Sequence, residues 1–244
     1  MTVLVGILCQ DGVVIGTDSS ATFGSAGGCK TVEQPVRKIE IVGGQIIVAG
    51  TGEVGLGQRF VQVVAQHKKV FTDKTPIEAA KTICIEARAD FISTNASGAY
   101  GALVAFPHLG KLYLVEFGEG TLQPEFKTEA MWYGSMGSGQ AIADPFLGLM
   151  RRAYCPAGPP LLRTGKFIAA WTLRHTCDVN PGGIKEPVVL SALTNTPTGY
   201  VSEILSPENM AEHNGMVEEA EGYMAAFPEW FDKKAAPEVP DVSA

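Results

Sequence analysis

The sequence predicts an α+β fold in which two antiparallel sheets pack between layers of helices. The first apolar runs are of strand length and are joined by short turns, as in β-hairpins. Two helical segments follow, then further strands, two more helices and closing strands. Because this order lacks the strand–helix alternation of a parallel α/β protein, two separate antiparallel sheets covered by helices are expected.

The N-terminal third contains two predicted hairpins. The first turns at Gln10-Asp11-Gly12, and Asp-Gly between apolar runs is a strong hairpin signal. The second turns at Gly43-Gly44, after a polar, glycine-rich stretch that begins at Asp18. The predicted strands here are 3–9, 12–17, 36–42 and 45–49.

The clearest helix start is Thr75-Pro76-Ile77-Glu78, which combines a capping box with proline at the first helical position. Other segments follow from apolar periodicity. A final helix over 207–226 and a loose, Pro- and Ala-rich end over 227–244 are expected after them. The remaining predicted helices are 57–70, 140–152 and 160–176, and the remaining predicted strands are 99–106, 111–117, 187–193 and 200–205.

Composition excludes several classes of function. With 244 residues, 45% of them hydrophobic and 18% charged, the chain suits one globular domain. The formal charge of -7 argues against a nucleic-acid partner. No apolar run is long enough for a membrane span, and the N-terminus lacks the pattern of a signal peptide. Five cysteines without C-x-x-C spacing indicate free thiols, so a cytoplasmic protein is expected.

Two motifs suggest cofactor chemistry but lack the context that it needs. Residues 50–55 (GTGEVG) match a dinucleotide loop, but a second helix follows where a Rossmann unit requires a strand. Residues 175–178 (HTCD) have no further ligands at metal-binding spacing. We therefore expect neither a cofactor nor a metal.

The remaining candidates for chemistry are Thr2, Asp18 and Lys38. A threonine hydroxyl is a poor nucleophile unless a base lies beside it, and at a mature N-terminus the free α-amine supplies one, with an ordinary pKa of roughly 7.7–8.0. Lys38 can then supply a cation that favours loss of the hydroxyl proton, and Asp18 an anion that holds this cation. Spacing alone leaves a second interpretation open: a surface lysine, a turn aspartate and a threonine without a role.

Four segments, taken in order, resemble the proteasome β-subunit family. TVLVGILCQDGVVIGTDSSATFG is similar to the start of a mature catalytic subunit, and VRKIEIVGGQIIVAGTGEVG to its lysine strand and the turn after it. YGSMGSGQ and CDVNPGGI resemble the family's G-S-G and D-x-x-S-G-G segments. Among relatives, the beta-proteobacterial proteasome homologue is expected first and the Anbu family second.

This resemblance implies a four-layer αββα sandwich of the N-terminal nucleophile hydrolases over residues 2–205, with 206–244 as an extension. It implies that Thr2 is the nucleophile and that Asp18 and Lys38 form its charged pair. Ser138, Gly139 and Asp178 would support the amine, Gly50 would donate its N–H to the oxyanion, Thr22 and Gly50 would bind extended peptide, and Val48 would face the specificity pocket.

Two features of the sequence affect which properties of the family can be transferred to this chain. Pro181 stands where the family pattern has a serine, so the support of the amine must be rearranged there. Only Met1 precedes Thr2 in this sequence, and we expect methionine aminopeptidase to remove it, because that enzyme accepts a small second residue.

The implied function is that of a threonine peptidase enclosed in stacked rings of identical subunits. It acts on peptides or unfolded proteins, with an ATP-dependent unfoldase as a possible partner and neither nucleic acid nor membrane. Two alternatives stay open: a non-catalytic ring subunit that retains Met1, and a small-molecule amidase with the same fold.

Overall fold

A computed structural model describes residues 1–23, 32–180 and 182–235 of the protein, with twelve strands and six helices. The strands are β1 Leu4–Leu8, β2 Gly12–Thr17, β3 Ser20–Phe23, β4 Val32–Pro35, β5 Ile39–Val42, β6 Ile46–Gly52, β7 Tyr100–His108, β8 Lys111–Phe117, β9 Pro124–Phe126, β10 Tyr133–Met136, β11 Val189–Thr196 and β12 Gly199–Ile204. The helices are α1 Val54–Gln66, α2 Val70–Asp73, α3 Pro76–Ser93, α4 Gln140–Tyr154, α5 Leu162–Val179 and α6 Pro207–Ala235.

Two five-stranded antiparallel sheets form the centre of the molecule. The first has the order β10-β1-β2-β11-β12 and the second β5-β6-β7-β8-β9, while β3 and β4 form a separate two-stranded ribbon. Every described pairing within the five-stranded sheets is antiparallel. The predicted hairpins β1–β2 and β5–β6 are therefore confirmed.

Strand β1 and the residue before it show how the sequence pattern builds the layers. Successive side chains of a strand point to opposite faces. Val3, Val5 and Ile7 accordingly pack with helices α4 and α5, whereas Leu4 packs in a second core between the two sheets. A third core lies between the second sheet and helices α1 and α3. The resulting four layers confirm the predicted αββα sandwich.

Helix α3 begins where the capping box predicts. The Thr75 side chain accepts a hydrogen bond from the Glu78 N–H, and the Glu78 carboxylate accepts one from the Thr75 N–H. Among the described helices, none is long and apolar enough to cross a membrane.

Several element boundaries differ from the sequence prediction. Short strands β3, β4, β9 and β10 were not predicted, since edge strands of three or four residues form through their partners rather than through a local pattern. Helix α1 begins three residues before the predicted start at 57, and a separate short helix, α2, follows it. Helix α6 continues through Pro228 to Ala235, nine residues past the predicted end at 226, because its apolar spacing continues.

A glycine allows close packing between α5 and the first sheet. A β-carbon at Gly16, in the middle of β2, would meet side-chain atoms of Leu190 and Leu173 at sub-van-der-Waals distances. Leu173 lies on α5 and Leu190 on the neighbouring strand β11. The absence of a side chain at position 16 thus leaves the space that these two leucine side chains fill.

We expect Gly16→Ala to lower the free energy of unfolding by about 1–3 kcal/mol, the usual cost of overpacking a core. The matched control is Gly148→Ala on α4, where an added β-carbon meets nothing within 4 Å. Alanine there should raise the stability by roughly 0.5–1 kcal/mol through helix propensity. Urea unfolding followed by far-UV circular dichroism, at one protein concentration, compares the two; equal effects of both substitutions would contradict the packing argument.

Candidate active site

Thr2 lies just before β1, at the end of the strand that the first sheet holds on both sides. β1 pairs with β2 on one edge and β10 on the other, so that Leu4 faces both Thr17 and Met136. Thr2 is only 9% exposed. Backbone pairing within the sheet therefore fixes the position of Thr2 without help from the side chains of the site.

Lys38 reaches Thr2 from the second sheet. It lies one residue before β5, and its Nζ donates hydrogen bonds to Thr2 Oγ1 at 3.0 Å and to Asp18 Oδ1 at 2.7 Å. It also donates to the Met1 carbonyl at 3.2 Å. The structure thus brings together the three residues that the sequence singled out, in the order carboxylate, ammonium, hydroxyl.

The Asp18 carboxylate is held in place by backbone as well as by Lys38. It follows β2 directly, and its Oδ1 accepts a hydrogen bond from the Val3 N–H at 3.0 Å while its Oδ2 accepts one from the Ser20 N–H at 3.2 Å. Its side chain is fully buried, and that of Lys38 is 6% exposed. An anion with this many donors is fixed in one orientation.

Burial also affects the charge state of Lys38. Desolvation lowers the pKa of its ammonium below the ordinary value for lysine, and the Asp18 carboxylate opposes that shift. The ammonium therefore lies against Thr2 Oγ1 with little solvent to screen it. A cation in that position stabilises negative charge that develops on the hydroxyl oxygen.

A glycine-rich loop encloses Thr2 from the other side. Ser138 Oγ accepts a hydrogen bond from the Thr2 nitrogen at 3.1 Å, and the Gly139 N–H donates to the Thr2 carbonyl at 3.1 Å. Gly137 has a positive φ of 87°, and a β-carbon there would lie 2.5 Å from the Thr2 carbonyl oxygen. The loop follows β10, so the β1–β10 pairing delivers it to the terminus. Sequence reasoning named Ser138 and Gly139 but missed Gly137.

A cavity of about 350 Å³ opens beside Thr2 and Lys38. Val48 and Gly50 of β6 line it, together with residues of α1. The Gly50 N–H, which the family resemblance assigns to the oxyanion, donates to the Lys38 carbonyl at 3.3 Å. That distance is long for a hydrogen bond, so this N–H is weakly held. Its role toward an oxyanion and that of Val48 toward a substrate stay predictions.

Tyr100 is a cavity residue that sequence reasoning missed. It begins β7 and is 4% exposed, and its ring occupies the space that β-carbons at Gly50 and Gly57 would fill. Its hydroxyl oxygen is the atom nearest to a β-carbon built on Gly50. The sequence places Tyr100 at a strand start, but no local signal shows that its ring crosses to the β6–α1 connection.

The other predicted site residues are less closely tied to Thr2. Asp178 is exposed on the last turn of α5, and among the described residues no hydrogen bond joins it to Thr2 or Ser138. Thr22 lies on β3, and its side chain is outside the described part of the structure, as is Pro181. The roles that the resemblance gives these residues stay predictions.

The cysteines do not offer a rival nucleophile within the described residues, where Cys9, Cys84, Cys155 and Cys177 are free. Cys177 is the one whose charge environment includes Asp18 and Lys38, and burial, with Asp18 and Glu186, raises its pKa to about 12. Burial raises the pKa values of the other three thiols as well. Since the thiolate is the reactive form, these sulfurs are poor nucleophiles near neutral pH.

Comparison with known proteins gives a family match and two kinds of relatives. Residues 2–106 match the family described as proteasome subunit. The chain is 30% identical over 74 residues to a proteasome subunit beta of Methanococcus maripaludis, and 34% identical over 70 residues to that of Methanococcoides burtonii. These matches cover 30% and 29% of this chain and 32% and 31% of the relatives, so they span about a third of each relative's length.

Solved structures extend the likeness to nearly the whole chain. The Anbu complex from Pseudomonas aeruginosa, described as a helical assembly, superposes with a TM-score of 0.69 at 13% identity, over 93% of this chain and 95% of that one. Anbu from Hyphomicrobium sp. strain MC1 gives a TM-score of 0.70 at 13% identity, over 95% and 97%. At this identity the likeness concerns the fold.

The match to the family covers residues 2–106, the part of the chain that contributes Thr2, Asp18 and Lys38. Over residues 2–106 the chain is similar to the proteasome subunit family, and over nearly its whole length it has the fold of the Anbu proteins.

Proposed function

We propose that the protein is a threonine-type peptidase that hydrolyses peptide bonds with Thr2 as its nucleophile. The observation that supports this most directly is the contact of Lys38 Nζ with Thr2 Oγ1 at 3.0 Å, made by an ammonium that a buried carboxylate holds in place. The names of the curated relatives, proteasome subunit beta, agree with it. The assignment to the beta-proteobacterial branch stays a prediction.

The reaction requires a free amine at Thr2. In this structure Met1 is attached, so the Thr2 nitrogen is a peptide nitrogen and cannot accept a proton. Once Met1 and any residues before it are removed, the amine occupies the place beside Ser138 Oγ, next to its own hydroxyl. It then accepts the proton of Thr2 Oγ1 as the oxygen attacks the substrate carbonyl.

Each later step uses a group already described. Lys38 stabilises charge on Thr2 Oγ1, and the Gly50 N–H receives the carbonyl oxygen as it becomes an oxyanion. The protonated amine gives its proton to the leaving amine of the substrate, which leaves an ester on Thr2. Water, deprotonated by the amine, then hydrolyses the ester and restores the hydroxyl.

The proposed substrates are peptides or unfolded protein segments bound as an added strand. We expect Thr22 on β3 and Gly50 on β6 to supply the backbone that binds the added strand. The cavity, which Val48 and Gly50 line, would receive the side chain before the scissile bond. Subunits associate with one another in a closed assembly in the cytoplasm, with an unfoldase as a possible partner. The family and the helical assembly of the Anbu relative support self-association.

We expect the active protein to begin at Thr2. Because Met1 would keep the amine in a peptide bond and remove the base, peptide hydrolysis should parallel the fraction of chains that have lost Met1. Intact-mass measurement of the denatured chain, combined with an assay on a fluorogenic peptide library, checks this. A preparation that uniformly retains Met1 and still hydrolyses peptides would refute the mechanism, while loss of Met1 without any activity would favour the non-catalytic alternative.

We expect Lys38→Ala to lower kcat by about 10²–10³, because a preorganised charge beside the nucleophile is lost. Thr2→Ala should be inactive, whereas Thr2→Ser should keep part of the activity, since a hydroxyl and an α-amine both remain. Peptide hydrolysis at matched subunit concentration compares the three variants.

The matched control for Lys38 is Lys127→Ala. Lys127 is also a nearly buried lysine, 7% exposed, and its ammonium lies 2.8 Å from Glu116 and 2.7 Å from Glu125 rather than near Thr2. Its loss should reduce stability and leave kcat largely unchanged. Similar activity losses in both lysine variants would show that Lys38 acts through folding.

We expect Gly50→Ala to lower kcat/KM by about tenfold or more, because the new methyl group collides with the Tyr100 ring and shifts the N–H beside Thr2. In a Tyr100→Leu background the same substitution should cost less, since the ring is gone. The double-mutant cycle measures this coupling, which is roughly 0.5–3 kcal/mol for residues in contact. Additive effects would mean that Tyr100 does not set the position of Gly50.

A further inference from the structure

Helix α6 extends beyond the body on which it packs. Up to Glu221 its residues contact α5: Val217 is buried, and the Trp171 indole N–H donates to the Glu221 carboxylate at 2.9 Å. From Gly222 to Asp232 every residue is exposed. We call residues 222–232 the α6 arm.

The arm carries its large apolar side chains on one face. Tyr223 and Phe227 are four residues apart, and Met224, Phe227 and Phe231 follow at spacings of three and four, which places them along one side of a helix. Their exposed fractions are 71%, 57%, 54% and 55%, taken in chain order. Trp230 extends the same face and stacks at a tilt on Phe227, with ring centroids 5.2 Å apart.

The apolar face of the arm continues the face that holds α6 on the body. Val217 and Ala220 pack against the α5 core, and Met224, Phe227 and Phe231 repeat their spacing of three and four residues further along. This continuous apolar face, which we call the seam, is thus buried at its start and exposed at its end. The exposed part can be buried only by a second surface.

Helix energetics lead to the same conclusion. The arm continues a helix that α5 holds at its start, but helical stability in proteins comes mostly from packing of an apolar face, and all eleven residues of the arm are exposed. It also contains Gly222 and Pro228, and a proline in a helix interior removes a backbone hydrogen bond at a cost of about 3 kcal/mol. The arm therefore depends on packing for its helical form.

We propose that the arm of one subunit packs in antiparallel orientation on the arm of a second copy, across a two-fold axis. This contact adds to those that the proposed assembly requires and does not depend on the peptidase chemistry. It is isologous, since the same apolar face serves both subunits.

Area and charge favour a second copy as the occupant. Aromatic side chains present about 150–250 Å² each, so the half-exposed residues of one arm offer roughly 500 Å² and two arms roughly 1,000 Å², about the minimum for a specific interface. The apolar face itself carries no charge, so two copies meet without repulsion there. Glu229 lies on the opposite side of the arm, where it remains in solvent.

Cysteine cross-linking of the full-length protein tests this contact directly. Met224→Cys, Phe227→Cys and Phe231→Cys are made singly, and Ala225→Cys is the control on the opposite side of the same turn. Facing residues near a two-fold axis come within the Cα separation of 4.4–6.8 Å that a disulfide needs. After mild oxidation we expect a covalent dimer at one or more of the seam positions, and at 225 no more than in the oxidised wild type.

The absence of a dimer at all three seam positions would overturn the proposal, and so would equal yields at 225. Both results are expected if the arm binds residues 236–244 of its own chain, or a different protein.

Native mass spectrometry gives a second measurement. Phe227→Glu with Phe231→Glu should lower the mass of the assembly, and Ala225→Glu should not; an unchanged mass in the double variant would also overturn the proposal. Neither readout uses peptide hydrolysis, so the result is independent of the peptidase assignment.

Discussion

The buried ion pair between Asp18 and Lys38 is the interaction on which the site depends. Asp18 directly follows a strand of the first sheet and Lys38 directly precedes a strand of the second, so their 2.7 Å contact joins the two sheets beside Thr2. Removing two charges from water is costly, and a well-packed apolar pair would often be as stable. The contribution of this pair to stability therefore does not explain its presence. Its more important effect is that it holds the Lys38 ammonium beside the Thr2 hydroxyl.

The remaining support of Thr2 comes from backbone rather than from charged side chains. Pairing of β1 with β2 and β10 brings Asp18 and the Gly137–Gly139 loop to the same strand end. Two N–H groups then fix the Asp18 carboxylate, and the Gly139 N–H fixes the Thr2 carbonyl. Because these contacts involve backbone atoms, they require a register and a few small residues, and they leave most side chains of the sandwich free to vary. This agrees with a fold shared at 13% identity.

The sequence predicts best those features that are set by local chemistry. The Asp-Gly hairpin and the Thr75–Glu78 capping box each follow from a few adjacent residues, and both are present. The sequence also singled out Thr2, Asp18 and Lys38, but their spacing left a second interpretation open, and only the family resemblance implied a shared role. Tyr100 and Gly137 could not be found in this way. Their importance arises from contacts with Gly50 and with the Thr2 carbonyl, each more than forty residues away in the chain.

The end of helix α6 also could not be predicted from local sequence, because it depends on contacts with other surfaces. Its composition after residue 226 is rich in alanine, proline and charge, which suggests a loose terminus, yet the helix continues to Ala235. The spacing of Met224, Phe227 and Phe231 is a helical signal, but a signal of this kind requires a surface to pack on, and none is provided by the body of the same subunit beyond Glu221 among the described residues. Apolar spacing in a sequence predicts which face of a helix is buried, but it does not predict which surface packs against that face. For the root of α6 that surface is α5 of the same chain, and for the arm it is best supplied by another subunit.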